Sequence, residues 1–231
     1  MRTLIASLVM FVFALTNAYA AGNEVYIDQI GNSSTVNVTQ TGSGNVLGGS
    51  QSSTGSTTGN SKMYGNSQTI NIQQIGMNNN TALTVDGANT NATNNVSGNG
   101  NNTAINCGVS GSCASSTLRA NANGNNNTMS INSMGNSTST IDVTGNNNSA
   151  TINNSSTSML GATAAVSISG DTNSVSVTQD GIAGTNGHSA TVSVLGSANN
   201  VSVAQGGAVD STVSISTNGV GNNITVKSNH Q

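Results

Sequence analysis

Aliphatic residues recur at every second position in short bursts along this chain. Each burst is opened by a polar residue and closed by a glutamine and a glycine, in the frame polar, x, aliphatic, x, aliphatic, x, Gln, x, Gly. The frame runs through Asn23, Val25, Ile27, Gln29 and Gly31, and again through Ser34, Val36, Val38, Gln40 and Gly42. It returns at Gln68, Ile70, Ile72, Gln74 and Gly76, at Asn173, Val175, Val177, Gln179 and Gly181, and at Asn199, Val201, Val203, Gln205 and Gly207. A period of two belongs to an extended strand, whose alternate side chains point to opposite faces. Each copy therefore predicts a short strand with its aliphatic and glutamine positions on one face and Asn, Ser and Thr on the other.

Between these copies the frame persists in weaker forms. Ser116, Leu118, Ala120, Ala122 and Gly124 keep it without the glutamine, as do Asn127, Met129, Ile131, Ser133 and Gly135. Clipped versions end at Leu83, Val85 and Gly87, at Ile141, Val143 and Gly145, at Val166, Ile168 and Gly170, and at Val192, Val194 and Gly196. The closing glycines (Gly31, Gly42, Gly76, Gly181 and Gly207 in the full copies) and the Asn runs tolerate positive φ, and so predict turns. A strand and its turn cannot bury their own apolar face, so successive copies must stack. Two strands per turn makes a rung of about 22 residues, and the pattern predicts an all-β fold, a β-solenoid of about eight rungs in cross-β stacking. The Gly/Ser/Thr-rich stretch at about 48–65 predicts an insertion.

The inward amides need a reason, because an unpartnered buried amide costs about 1–3 kcal/mol. In an in-register stack each amide can bond to its equivalent one rung away. Gln29, Gln40, Gln74, Gln179 and Gln205, with Asn23, Asn45, Asn79, Asn173 and Asn199, are the expected members of such a structural ladder.

Composition narrows the function. The chain has 231 residues, 5% charged and 2% aromatic, with no Pro, no Trp and a formal net charge of −3. Four basic residues do not supply a phosphate-neutralising surface, which excludes nucleic acid as a partner. Asn, Ser, Thr and Gly fill roughly three-fifths of the residues after position 20, so any core is thin and repetitive. Met1 and Arg2, the largely apolar run from Leu4 to Leu15, and Ala18-Tyr19-Ala20 read as a signal peptide over residues 1–20, leaving a secreted single repeat domain over 21–231. That apolar run is short for a membrane span, and no later stretch rivals it, so the mature chain is not expected to be membrane-spanning.

Chemistry-bearing residues are sparse. Cys107 and Cys113 form either a short disulfide loop or two free thiols. His188 and His230 stand apart from the cysteines and from each other, and the Asp residues are scattered singly. Neither a catalytic site, a cofactor site nor a metal site is expected.

The stretch from Asn23 to Asn45 resembles the curlin repeat, the unit of bacterial curli amyloid fibres. That family's pattern runs Ser, five residues, Gln, x, Gly, two residues, Asn, x, Ala, three residues, Gln. Here Asn23 stands at the Ser position, Gln29 and Gly31 match, Ser34 stands for Asn, Val36 for Ala, and Gln40 matches, with Gly42 and Asn45 opening the next half-repeat. Gln68 to Asn79, with Gln74 and Gly76, is similar again, and the frames at Gln179 and Gln205 match less fully, with Asp210 where Asn is expected. The chain departs from the family in lacking a Gly-rich segment before its first repeat and in carrying two cysteines. The resemblance implies a subunit that polymerises into an extracellular amyloid-like fibre for surface adhesion and biofilm matrix. Its implied partners are further copies of itself, other curlin-like subunits and an outer-membrane secretion machinery. A disordered, low-complexity secreted polypeptide is a third reading, against which the parity and the frame argue; the second is a monomeric β-solenoid with an ice- or glycan-binding face, which wants regular threonine rows. The outward positions Tyr26, Asp28, Asn37, Thr39, Asn71, Gln73, Ser176 and Thr178 are mixed instead.

Overall fold

The computed structural model describes residues 22–48, 50–51, 57–108, 113–155, 161–180 and 187–230. The expected signal peptide, Gly181 and part of the expected insertion lie outside them. The chain folds as an all-β solenoid in which two parallel sheets face one another. The shorter sheet stacks eight strands in chain order: Thr35–Ser43, Thr69–Met77, Asn91–Ser97, Thr117–Asn123, Thr138–Thr144, Thr163–Ser169, Ser189–Leu195 and Thr212–Asn218. The longer sheet has 11 strands, but two of its rows are each made of two strands. These are Glu24–Val25 with Ile27–Ile30, and Val46–Gly48 with Ser61–Tyr64; below them lie Asn80–Asp86, Asn102–Cys107, Thr128–Ser133, Ser149–Asn154, Ser174–Gln179, Asn200–Gly207 and Asn223–His230. The chain alternates between the sheets, so about seven full turns separate the first strand of the shorter sheet from its last.

The period-two pattern becomes columns of like residues. Leu83, Ile105, Ile131, Ile152, Val177 and Val203 lie in register in the longer sheet, all buried. Facing them, Ile72, Asn94, Ala120, Ile141, Val166, Val192 and Ile215 form a column of the shorter sheet. Asn94 is the polar exception, and its Nδ2 donates to Thr81 Oγ1 across the core at 2.6 Å. Burying an aliphatic side chain is worth about 1.5–3 kcal/mol, so a core of mostly Val, Ile and Ala needs many rungs to become stable.

The two corners of the solenoid differ. At one corner every described turn is the four-residue Gly-x-x-Asn, as in Gly124-Asn125-Asn126-Asn127. The glycine has φ near +110 to +140 (138° at Gly124), and the third residue is left-handed (55° at Asn126, 56° at Ala198). A Cβ on Gly124 would lie 1.9 Å from the Gly145 carbonyl oxygen, so the turns stack too closely for any other residue. The other corner absorbs differences in length. It carries the Cys107–Cys113 disulfide, whose Cα atoms are 5.4 Å apart and whose side chains are wholly buried.

The insertion is narrower than the expected 48–65. The chain leaves the longer sheet at Gly48, pairs Ser50–Gln51 with Thr57–Thr58 antiparallel, and is back in the sheet at Ser61–Tyr64. Lys62 and Tyr64 face outward, while Ser61 and Met63 continue the buried columns, a period-two pattern too short to stand out in its polar surroundings.

The close corner makes a direct prediction. Gly221, also at positive φ (72°), has open space where a Cβ would go. Gly221→Ala is expected to cost only backbone strain of about 1–2 kcal/mol. Gly124→Ala adds the clash and should cost at least twice as much; equal losses in thermal melts of the two variants would mean that the turns are not in contact.

Candidate functional site

The Gly-x-x-Asn corner puts one asparagine of every turn inside. Asn23, Asn45, Asn79, Asn101, Asn127, Asn148, Asn173, Asn199 and Asn222 form a single continuous column. In it, the Nδ2 of each asparagine donates to the Oδ1 of the one before, at 2.8–3.2 Å. The backbone N–H of each donates to that same Oδ1, as at Asn127 and Asn148, both 3.0 Å. The second Nδ2 hydrogen reaches the glycine carbonyl of the following turn: Asn127 to Gly145 at 2.8 Å and Asn199 to Gly219 at 2.9 Å. Each amide inside this column is therefore saturated, which is the condition for burying it.

On the solvent side of the same corner a second column runs in the opposite sense. Asn99 N–H donates to Asn125 Oδ1, Asn125 N–H to Asn146 Oδ1, and Asn146 N–H to Asp171 Oδ1, at 2.7–3.0 Å. Asn99, Asn125 and Asp171 are exposed and Asn146 half-exposed, so water can reach and replace the bonds they make.

The glutamines are placed differently from the asparagines. Gln40 Nε2 donates to Gln74 Oε1 at 2.7 Å, and Gln179 Nε2 to Gln205 Oε1 at 2.9 Å. These are two separate pairs on different sheets, because the column below Gln74 continues as Val96, Ala122 and Val143. Gln29 lies opposite Met63 and has no glutamine beside it. Gln74, Gln179 and Gln205 are fully or almost fully buried, whereas Gln29 and Gln40 at the end of the stack are half-exposed. Of the turn glycines, Gly31, Gly42, Gly76 and Gly207 all have positive φ. Asn101, Asn127, Asn148 and Asn222 were not among the expected ladder members. Their signal was a glycine three residues upstream, repeated at Gly98, Gly124, Gly145 and Gly219.

Among the described residues nothing covers either end of the stack. Val36 and Val38 at one end and Ile224 and Val226 at the other belong to the core columns but are only partly buried. The first rows carry the tyrosines: Tyr26 Oη donates to Glu24 Oε2 at 3.1 Å, and Tyr64 Oη to Asp28 Oδ2 at 3.2 Å. The bond to Glu24 and then its charge raise the Tyr26 phenol above its ordinary value, while burial and then the Asp28 bond raise that of Tyr64. Raised folded values mean that these two bonds contribute at neutral pH and are lost as pH rises through them.

Among the described residues no group of three or more His, Cys, Asp or Glu could hold a metal ion, and no helix is long and apolar enough to cross a membrane. His188 is buried, with Nδ1 3.0 Å from Ser211 Oγ and Nε2 without a partner. Arg119 and Asp142 pair at 3.4 Å on the outer face of the shorter sheet, where Asn121 also donates to Asp142.

Residues 19–42 match the family model of the curlin associated repeat. The match covers the row Glu24–Ile30 and most of Thr35–Ser43, and it relates the chain to the curlin family through one repeat. No curated protein and no solved structure shows significant similarity to the chain.

Two predictions follow from the columns and the tyrosines. Asn127→Ala strands the donors of Asn148 and the Gly145 carbonyl in the core at about 1–3 kcal/mol each, whereas Asn125→Ala is expected to cost under about 0.5 kcal/mol. Similar melting temperatures for the two would deny the inner column its role. Ultraviolet titration of Tyr26 and Tyr64 is expected to place both midpoints above about 10, and values at or below it would remove their carboxylate bonds.

Proposed function

We propose that this chain is a secreted structural subunit that polymerises into an extracellular amyloid-like fibre serving surface adhesion and biofilm matrix. The observation that carries it is the pair of open ends. Among the described residues, parallel sheet edges lie bare at Thr35–Ser43 and Thr212–Asn218, and the core side chains Val36 and Val38 at one end and Ile224 and Val226 at the other are only partly buried. Solenoids that stay monomeric cover such ends with polar caps, and an uncovered edge adds strands. The single curlin repeat match supports the same reading. The protein then works by assembly rather than turnover, with other copies of itself and related subunits as partners. A signal peptide over residues 1–20 and passage through an outer-membrane machinery belong to this proposal.

One observation favours the second reading. The first outward position of the shorter sheet holds Thr35, Thr69, Thr117, Thr138, Thr163 and Thr212, interrupted by Asn91 and Ser189. This is a hydroxyl file of the kind an ice- or glycan-binding face uses, although the next outward column, Asn37, Asn71, Thr93, Arg119 and Thr140, is mixed.

Thioflavin fluorescence of the secreted chain, with and without preformed seeds, separates the two. Concentration-dependent growth that seeds abolish the lag of is the expected result. A flat trace from a chain with a β-rich circular dichroism spectrum would overturn the fibre and leave the binding solenoid.

A further inference from the structure

The two sheets end out of step. Among the described residues the outermost rows at both ends, Glu24–Ile30 and Asn223–His230, belong to the longer sheet. Because the chain alternates between sheets, a row of the longer sheet must be followed by a row of the shorter one. Two copies therefore cannot stack with both sheets continuous while both outermost rows stay in place. One of the two has to leave.

We propose that Asn223–His230 is a displaceable cap, holding the place that the Glu24–Ile30 row of a second copy takes during assembly. This rests on the fibre reading above and adds to it the register and the strand that regulates growth. The columns choose between the two rows. With the cap out, the incoming copy sets its Asn23 beside Asn199, Val25 beside Val201, Ile27 beside Val203 and Gln29 beside Gln205, following the registers of both rows. Gln205 already accepts from Gln179 at 2.9 Å, and Gln29, whose own neighbour is Met63, finds the glutamine it lacks. The cap itself offers only Ser228 opposite Gln205. Expelling Glu24–Ile30 instead would seat the next copy's Ser61–Tyr64 on the cap, setting Lys62 against Lys227 and Met63 against Ser228. Like charges directly opposite on neighbouring strands oppose pairing.

The exchange has a net gain. On the longer sheet one parallel strand replaces another, which is near balance, as in domain swapping. On the shorter sheet a pairing forms that a single copy does not have: Thr35–Ser43 of the incoming copy lies on Thr212–Asn218, with Val36 on Val213 and Val38 on Ile215. The cap is also weakly committed. Its alternate residues are exposed and its apolar side chains Ile224 and Val226 only partly buried. Its one charged residue, Lys227, lies opposite Ala204.

A lock tests this. Ser202 and Thr225 are register partners on the outer face, and neighbouring strands about 4.8 Å apart are within disulfide reach. The double variant Ser202→Cys/Thr225→Cys is expected to fold normally by circular dichroism and, once oxidised, to elongate about tenfold or more slowly than when reduced. Deleting 223–231 is expected to shorten the lag. Wild type and Thr225→Cys alone, under the same oxidant and reductant, account for the native Cys107–Cys113 bond. A locked chain that grows as fast oxidised as reduced overturns the cap and leaves the fibre standing. A wild-type chain that never grows overturns the fibre and the cap with it.

Discussion

A buried primary amide has two hydrogens to place and an oxygen to satisfy, and the interior of this molecule holds one in every turn. The structure solves that by repetition. Each inner asparagine hands one Nδ2 hydrogen to the asparagine before it and the other to the glycine carbonyl of the turn ahead. That geometry works only if consecutive turns have the same shape. It therefore fixes the corner at four residues, demands a glycine whose Cβ would strike the next carbonyl, and places a left-handed residue third. Variation in length is pushed to the other corner and to the insertion after Gly48. The spacing along the asparagine column consequently runs between 21 and 26 residues, with one step of 34 where the insertion sits.

The same constraint explains what could be read from the residues alone. Val/Ile alternation in a chain so poor in apolar residues is conspicuous, and it led to the strands, the stacking and the all-β solenoid. Glutamine drew attention because it is rare here and tied to glycine, yet its columns are short: beside Gln74 stands Val96, and beside Gln29 stands Met63. The continuous column belongs to asparagine, whose abundance hid it. Asn125, Asn126 and Asn127 are adjacent and chemically identical, and only the turn geometry makes the third one internal and the first one solvent-facing. The spacing of Cys107 and Cys113 left their pairing open, since it depends on how the second corner folds. The threonine file is likewise invisible until registers align residues some 20 to 34 positions apart.

The proposed function rests on where the columns stop. Inside the stack each asparagine of the inner column has an equivalent above and below; at the ends it has one on a single side. The end rows are thus the least buried part of the core and, in the proposed fibre, the part that would recognise another copy. The polarity of the asparagine column, donors toward one end and acceptors toward the other, also makes the two ends unlike, which suits head-to-tail growth rather than closed dimers.

Side-chain amide hydrogen exchange, followed by NMR on the folded chain, tests the central claim most directly. The Nδ2 hydrogens of Asn101, Asn127, Asn148 and Asn173 are expected to be protected to nearly the level of the core backbone amides, while those of Asn125 and Asn146, whose bonds to Asn146 and Asp171 lie at the solvent side, exchange far faster. Equal and rapid exchange at both sets would contradict the inner column and the account built on it.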